Sequence, residues 1–159
     1  MPTNNDPKPL YAVDVPVRQI ASIYPSIFAK RMMGRTKRAL GDHFALSNFG
    51  VNLTHLNPGA QSALQHVHTK QDEFVYILKG QLTLILDAEE YLLDAGMCFG
   101  FKAGTCSHML INRSASDAVF LEIGDRSPDD RASYPNDDLL AERRDGSWFF
   151  SHRDGTLYE

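Results

Sequence analysis

The feature that most restricts this fold is its punctuation. From Phe44 onward, short runs rich in Val, Leu, Ile, Phe and Thr are cut apart by turn formers: Asn57-Pro58-Gly59, Lys79-Gly80, Asp87-Ala88, Asp94-Ala95-Gly96 and Lys102-Ala103-Gly104. The runs fall at about 44–56, 62–68, 73–79, 81–86, 90–93, 97–101, 107–112 and 118–124. Glycine and proline recur too often along them to leave room for a long helix, and no long amphipathic pattern interrupts the series. Many short strands at this spacing predict an all-β protein, a sandwich or barrel.

The rest of the chain is read around that core. We expect an N-terminal extension over 1–43, a β-barrel over 44–124 and a C-terminal arm over 125–159. Residues 1–16 carry four prolines among polar residues and predict an extended arm. A basic cluster, Lys30, Arg31, Arg35, Lys37 and Arg38 around Gly34, reads as a solvated segment, with a phosphate-contacting or partner surface as the alternative. After Gly124 the sequence is polar and turn-rich, with Pro128 and Pro135, and should run over the barrel surface or onto a second subunit. It ends in a predicted hairpin around Asp154-Gly155, a favoured tight-turn pair.

Composition sets outer limits. The 159 residues, 43% apolar and 23% charged, suit one domain with a core of its own. A net charge of −4 argues against nucleic acid or anionic lipid as a partner of the chain as a whole. No leader-like start and no apolar stretch near the length of a bilayer span is visible, so a cytoplasmic protein without a membrane partner is expected. Cys98 and Cys106 read as free thiols, since two cysteines do not make a secreted disulfide framework.

Chemistry concentrates between Gln65 and Gly80. Residues two apart on a strand share a face, so His66 and His68 project together while Val67 points away. Glu73 follows after a four-residue gap, enough for a turn, and opens a run in which Glu73, Val75 and Ile77 share a face opposite Phe74, Tyr76 and Leu78. His108 shares a face with Leu110 and Asn112 on a later strand. Three imidazoles and one carboxylate suit one divalent transition metal (Fe, Mn, Ni, Co, Cu or Zn) and suit Ca or Mg poorly. One carboxylate against a divalent ion leaves net positive charge, which favours an anionic ligand. His55 is ambiguous by strand parity, while His43 and His152 read as surface residues.

At these motifs the sequence resembles the cupin superfamily. The first runs Gly59, AQSALQ, His66-Val67-His68, TKQD, Glu73, FVYILK, Gly80, and differs from the family pattern by one residue in its first spacing. The second runs Gly96, MCFGF, Lys102-Ala103-Gly104, TCS, His108, MLI, Asn112, with lysine in place of proline and one extra residue before His108. The resemblance covers about residues 44–124 and implies a double-stranded β-helix, or jelly roll, with a metal in the barrel mouth held by His66, His68, Glu73 and His108. The full layout is similar to a bacterial group of single-domain cupins, some described as sugar-phosphate isomerases.

The expected function is therefore a metal-dependent enzyme on a small polar anionic substrate, of sugar-phosphate isomerase or epimerase type. Glu73 is the candidate base and Lys102 the candidate contact for the substrate anion. A metal-dependent dioxygenase and a non-enzymatic sugar- or carboxylate-binding cupin stay open as alternatives. A homodimer is expected, because the terminal arms need surfaces to cover.

Overall fold

A computed structural model describes residues 8–158; the first seven residues of the expected extended arm lie outside the described residues. Two four-residue helical turns, α1 (Ser26–Ala29) and α2 (Leu40–His43), accompany twelve strands. The strands are β1 (Arg35–Ala39), β2 (Phe49–Leu56), β3 (Val67–His68), β4 (Glu73–Lys79), β5 (Gln81–Leu86), β6 (Glu89–Asp94), β7 (Cys98–Phe101), β8 (His108–Ile111), β9 (Ala118–Asp125), β10 (Arg131–Ser133), β11 (Leu140–Arg144) and β12 (Ser147–Ser151).

One layer is a five-stranded sheet in the order β1-β2-β9-β4-β7. The other joins a three-stranded sheet, β6-β5-β8, to a four-stranded one, β12-β11-β10-β3, through bridges from Gln61 to Ile111 and from His66 to His108. All strand pairs are antiparallel. Leu56, Val75, Ile77, Ala118 and Phe120 from the first layer pack on Leu82, Leu84, Leu93 and Leu110 from the second. These are the alternate residues of each strand, which is what a jelly roll requires of its inward faces. The fold is thus the all-β double-stranded β-helix implied by the motifs.

A second cluster ties the N-terminal segment to the C-terminal strands. Phe28 and Met32 from the N-terminal segment pack with Leu64, Ala132, Tyr134, Leu139 and Ala141. Residues 15–24 lie against β1: Arg38 donates to the Val15 carbonyl, the Arg18 amide donates to the Lys37 carbonyl at 2.8 Å, and Arg35 donates to the Ala21 carbonyl at 2.7 Å.

Several local features depart from the sequence reading. The basic cluster is not simply solvated, because its second half forms β1, pairing in register from Arg35–Leu56 to Ala39–Asn52. Alternation then turns Arg35 and Lys37 inward. The first run begins as a strand at Phe49, not Phe44, because the amides of Phe44, Ala45 and Leu46 bond back to carbonyls of α2 around the left-handed Ala45 (φ 53°). The longer C-terminal hairpin turns at Asp145-Gly146, where φ is positive at both residues (49° and 79°), as a two-residue primed turn demands. Asp154-Gly155 makes a smaller turn that returns Leu157 to a single bridge with Ser151. Phe74, Tyr76 and Leu78 stand on the outer face of the five-stranded sheet, opposite Val75 and Ile77, and are exposed. Among the described residues no helix is long and apolar enough to cross a membrane.

Candidate metal centre

Strand alternation builds the site from both layers. His66 and His68 flank Val67 at β3, where His66 bridges to His108 and His68 pairs with Ala132. Glu73 opens β4 opposite Phe101 and Gly124, and His108 opens β8 opposite Leu86. All three histidines are buried. The Glu73 carboxylate lies among them: its Oε2 is 2.6 Å from His108 Nε2 and 3.6 Å from His66 Nε2, and its Oε1 is 3.7 Å from His68 Nε2.

The other ring nitrogen decides what those Nε2 atoms can do. His66 Nδ1 is 2.7 Å from the Leu64 carbonyl, His108 Nδ1 is 3.3 Å from the Cys106 carbonyl, and His68 Nδ1 is 2.6 Å from Asp130 Oδ2. Carbonyl and carboxylate oxygens only accept, so at His66 and His68 Nδ1 carries the proton and the neutral ring presents a bare Nε2 lone pair, whereas His108 Nε2 donates to the Glu73 carboxylate and must give up that proton before it can ligate. Asp130 is itself buried, and its Oδ1 accepts from the Lys70 and Gln71 amides at 2.8 and 3.3 Å and from Thr69 Oγ1 at 3.2 Å. Phe101 stacks on the His108 ring at 3.7 Å between centroids and 10° between planes, which restricts its rotation.

This donor set fits one divalent ion. Ligand atoms about 2.1 Å from a shared ion are separated by about 3.0–4.2 Å from one another. One donor atom each from His66, His68 and Glu73 lies within 4.8 Å of the others, and the 3.6 and 3.7 Å separations fall inside the range. The 2.6 Å contact from His108 to Glu73 is tighter than two ligands of one ion allow, so His108 must draw back by a few tenths of an ångström to join the set. His66, His68 and Glu73 therefore stand ready as a group, and His108 is brought against them as a hydrogen-bond partner of Glu73.

The electrostatics agree with an anionic carboxylate among imidazoles. Burial would raise the Glu73 pKa, but the hydrogen bond from His108 and the adjoining imidazoles of His66 and His68 overcome it and hold the carboxyl well below its usual range. Burial works to lower His66, and the Glu73 contact and the Leu64 carbonyl outweigh it, so His66 is raised. At His108 burial prevails and lowers the pKa despite Glu73.

The cluster opens into a cavity of about 360 Å³ whose wall includes Arg18, Arg35, Lys37, Arg126, Arg143, Tyr24 and Tyr134. Lys37 is half-buried and pairs with Glu122, which also accepts from Thr54 Oγ1 at 3.0 Å, and Arg126 pairs with Asp42. Tyr24 and Tyr134 meet edge to face at 5.8 Å; burial pushes both phenols up, so they stay protonated donors, and the Tyr134 ring is 5.9 Å from that of His66.

Lys102 is exposed and lies outside the cavity wall, whose cations come instead from β1, the N-terminal segment, β11 and Arg126 just after β9. Cys98 and Cys106 are free thiols outside the wall as well. His55 and His152 pair with Asp117 and Asp138 at 3.0 and 2.7 Å, and His43 is exposed. The sequence reading misses Asp130, Tyr24, Tyr134 and Arg143, which have no fixed spacing from the histidines. For Arg35 and Lys37 a signal existed: RTKRA alternates as a strand does, with two cations on one face.

Comparison with known proteins bears on the same residues. The family profile described as "Cupin domain" matches residues 52–124, the span holding His66, His68, Glu73 and His108. No curated protein matches the chain. Among solved structures, a sugar phosphate isomerase from a cupin superfamily of Silicibacter pomeroyi DSS-3 is 37% identical, with 96% of this chain and 97% of that one covered and a TM-score of 0.89. A structure whose name proposes a sugar phosphate isomerase, from Acidithiobacillus ferrooxidans, is 28% identical over 83% of this chain and 92% of that one, TM-score 0.71. The polyketide cyclase RemF of Streptomyces resistomycificus shares the fold alone, at 17% identity over 74% of this chain and 78% of that one, TM-score 0.62.

Proposed function

The chain belongs to the cupin superfamily, and from that premise we propose that it is a metal-dependent isomerase or epimerase acting on a small anionic sugar, of the sugar-phosphate class. The observation that carries this reading is the convergence of bare Nε2 lone pairs and the Glu73 carboxylate on one point at the edge of a cavity walled by guanidinium groups. His66, His68 and Glu73 would hold a divalent transition metal, with His108 completing the set. When bound, such an ion supplies Lewis acidity that polarises a carbonyl or hydroxyl oxygen.

The chain's own residues supply the rest. Arginines on the wall bind and orient the anionic end of a substrate, and the phenols of the half-buried Tyr24 and the buried Tyr134 donate hydrogen bonds to its oxygens. Glu122, held by Lys37 and Thr54, is a second carboxylate on the same wall and so a group able to carry a proton besides Glu73. An oxygenase calls for a drier, more apolar pocket than one with five cationic side chains. The names of the S. pomeroyi and A. ferrooxidans proteins support the isomerase reading.

The test joins metal content to turnover. Protein purified without chelators or a metal-affinity tag is analysed for metals, then screened against aldose and ketose phosphates for interconversion. We expect near-stoichiometric metal in the wild type and a sharp loss of both metal and turnover in His68→Ala and Glu73→Gln, with the barrel still folded. Equal metal content in all three proteins would remove the site assignment, and metal with no interconversion across the screen would remove the isomerase.

A further inference from the structure

We propose that the cavity contains an oxyanion subsite built on Arg35 with Arg18, separate from the histidine cluster, and that it takes the phosphate group of a phosphate monoester. The proposal rests on the reading of this cavity as a substrate site and adds where the charged end of the substrate is held.

Charge balance on the cavity wall points to it. Lys37 is neutralised by Glu122, Arg126 by Asp42, and Glu73 lies among imidazoles. Arg18, Arg35 and Arg143 line the same cavity, and among the described residues none of the three has a carboxylate within ion-pair distance; Arg35 and Arg18 are the two that come together at β1. A partly buried guanidinium without a counter-ion is costly, and an anionic ligand offsets that cost.

Arg35 is also held in a fixed pose. On the inner face of β1, its Nη1 donates to the Ser62 carbonyl at 2.5 Å and its Nη2 donates to the Ala21 carbonyl at 2.7 Å. Backbone carbonyls on two sides orient the guanidinium without cancelling its charge. Of its five N–H groups only two are used, and the Nε has no partner. Burial lowers its pKa, yet a guanidinium keeps its proton at neutral pH. A planar fork already oriented and still carrying unspent donors suits a tetrahedral oxyanion better than a lysine would.

Position links the subsite to the metal cluster. Ser62, which anchors Arg35, precedes His66 by four residues, a path of at most about 14 Å along an extended chain. Arg18 comes from the segment whose amide is bonded to the Lys37 carbonyl, so it lies beside the strand that carries Arg35. One small ligand can thus span both places inside the one cavity.

The experiment is a calorimetric titration of the full-length protein with inorganic phosphate at low ionic strength and neutral pH. One phosphate per chain is expected, with affinity reduced about tenfold or more in Arg35→Lys, the worth of one charge-assisted hydrogen bond. Arg18→Gln, an exposed side chain that holds no other element in place, should weaken binding too and keeps the test valid if the Arg35 variant misfolds. The same titrations are repeated in the His68→Ala background. Phosphate binding that survives there and still falls with Arg18→Gln supports the subsite even if no isomerase activity is ever found. Absence of saturable binding, equal affinity in wild type and both arginine variants, or loss of binding with His68→Ala alone would overturn the proposal.

Discussion

Asp130 is the residue through which the metal centre is most sharply tested, because it touches no ligand position and yet fixes one. Its Oδ2 takes the Nδ1 proton of His68 at 2.6 Å while its Oδ1 gathers the amides of Lys70 and Gln71. Asp130→Asn keeps the shape and removes the possibility of accepting on both sides. If the amide nitrogen faces His68, the ring must accept at Nδ1, so its proton moves to Nε2 and points where a metal would bind. If the amide oxygen faces His68, the amide nitrogen meets the backbone N–H groups of Lys70 and Gln71, donor against donor. Either arrangement loses a charge-assisted bond worth about 1.5–3 kcal/mol. Loss of a partner that orients a ligating histidine weakens metal binding by about 10- to 100-fold, or about 1.4–2.7 kcal/mol.

The assay is chelator competition with Zn²⁺ for wild type and Asp130→Asn, alongside thermal unfolding of the metal-free proteins. A cost near 2 kcal/mol lowers Tm by about 4–8 °C at this chain length. The pH dependence supplies a second check. Burial would raise the Asp130 pKa, but His68 and the loop amides overcome it and the folded value lies below the unfolded one. Its stabilisation is therefore fully present above the unfolded carboxylate value of about 3.9 and is lost as pH falls through the folded value. The gap in Tm between wild type and variant must narrow over that acid window. A variant with wild-type Zn²⁺ affinity within threefold and an unchanged Tm would refute the reasoning.

Two other predictions follow from the backbone and the surface. Gly80 sits at φ +77° with an added Cβ only 2.6 Å from the Asp117 carbonyl oxygen, whereas Gly96 at φ +92° has nothing within 4 Å; Gly80→Ala should therefore cost clearly more than the about 1–2 kcal/mol of left-handed strain expected for Gly96→Ala. Equal losses in denaturant unfolding would show that the close approach at Gly80 is not what demands glycine. The exposed Phe74, Tyr76 and Leu78 on the outer sheet face favour association, so light scattering at micromolar concentration should give a mass near twice 17.8 kDa, and a monomer mass at every concentration would refute it.

The spacing of His66, His68 and Glu73 was legible in the sequence because strand alternation is local: a period of two needs only neighbouring residues to place two side chains on one face. For the same reason β4 and β5 match their apolar runs residue for residue. The polar, short β1 and the C-terminal strands β10 to β12 carry little apolar periodicity, and they are strands because partners such as β2 and β3 satisfy their backbone groups. A tertiary partner, not propensity, decides such segments.

What the sequence determined by itself, then, is an all-β sandwich or barrel with two histidines on one strand face and a glutamate opening the next strand, since alternation and turn chemistry are written in adjacent residues, while the jelly roll was implied by the resemblance of its motifs to the cupins. Only the tertiary structure decides that Asp130, 62 residues away, orients His68, and that Arg35 and Lys37 from the N-terminal segment wall the same cavity. Those relations depend on which strands lie side by side. That order follows from burying both sheet faces together, and no short window of the chain contains it.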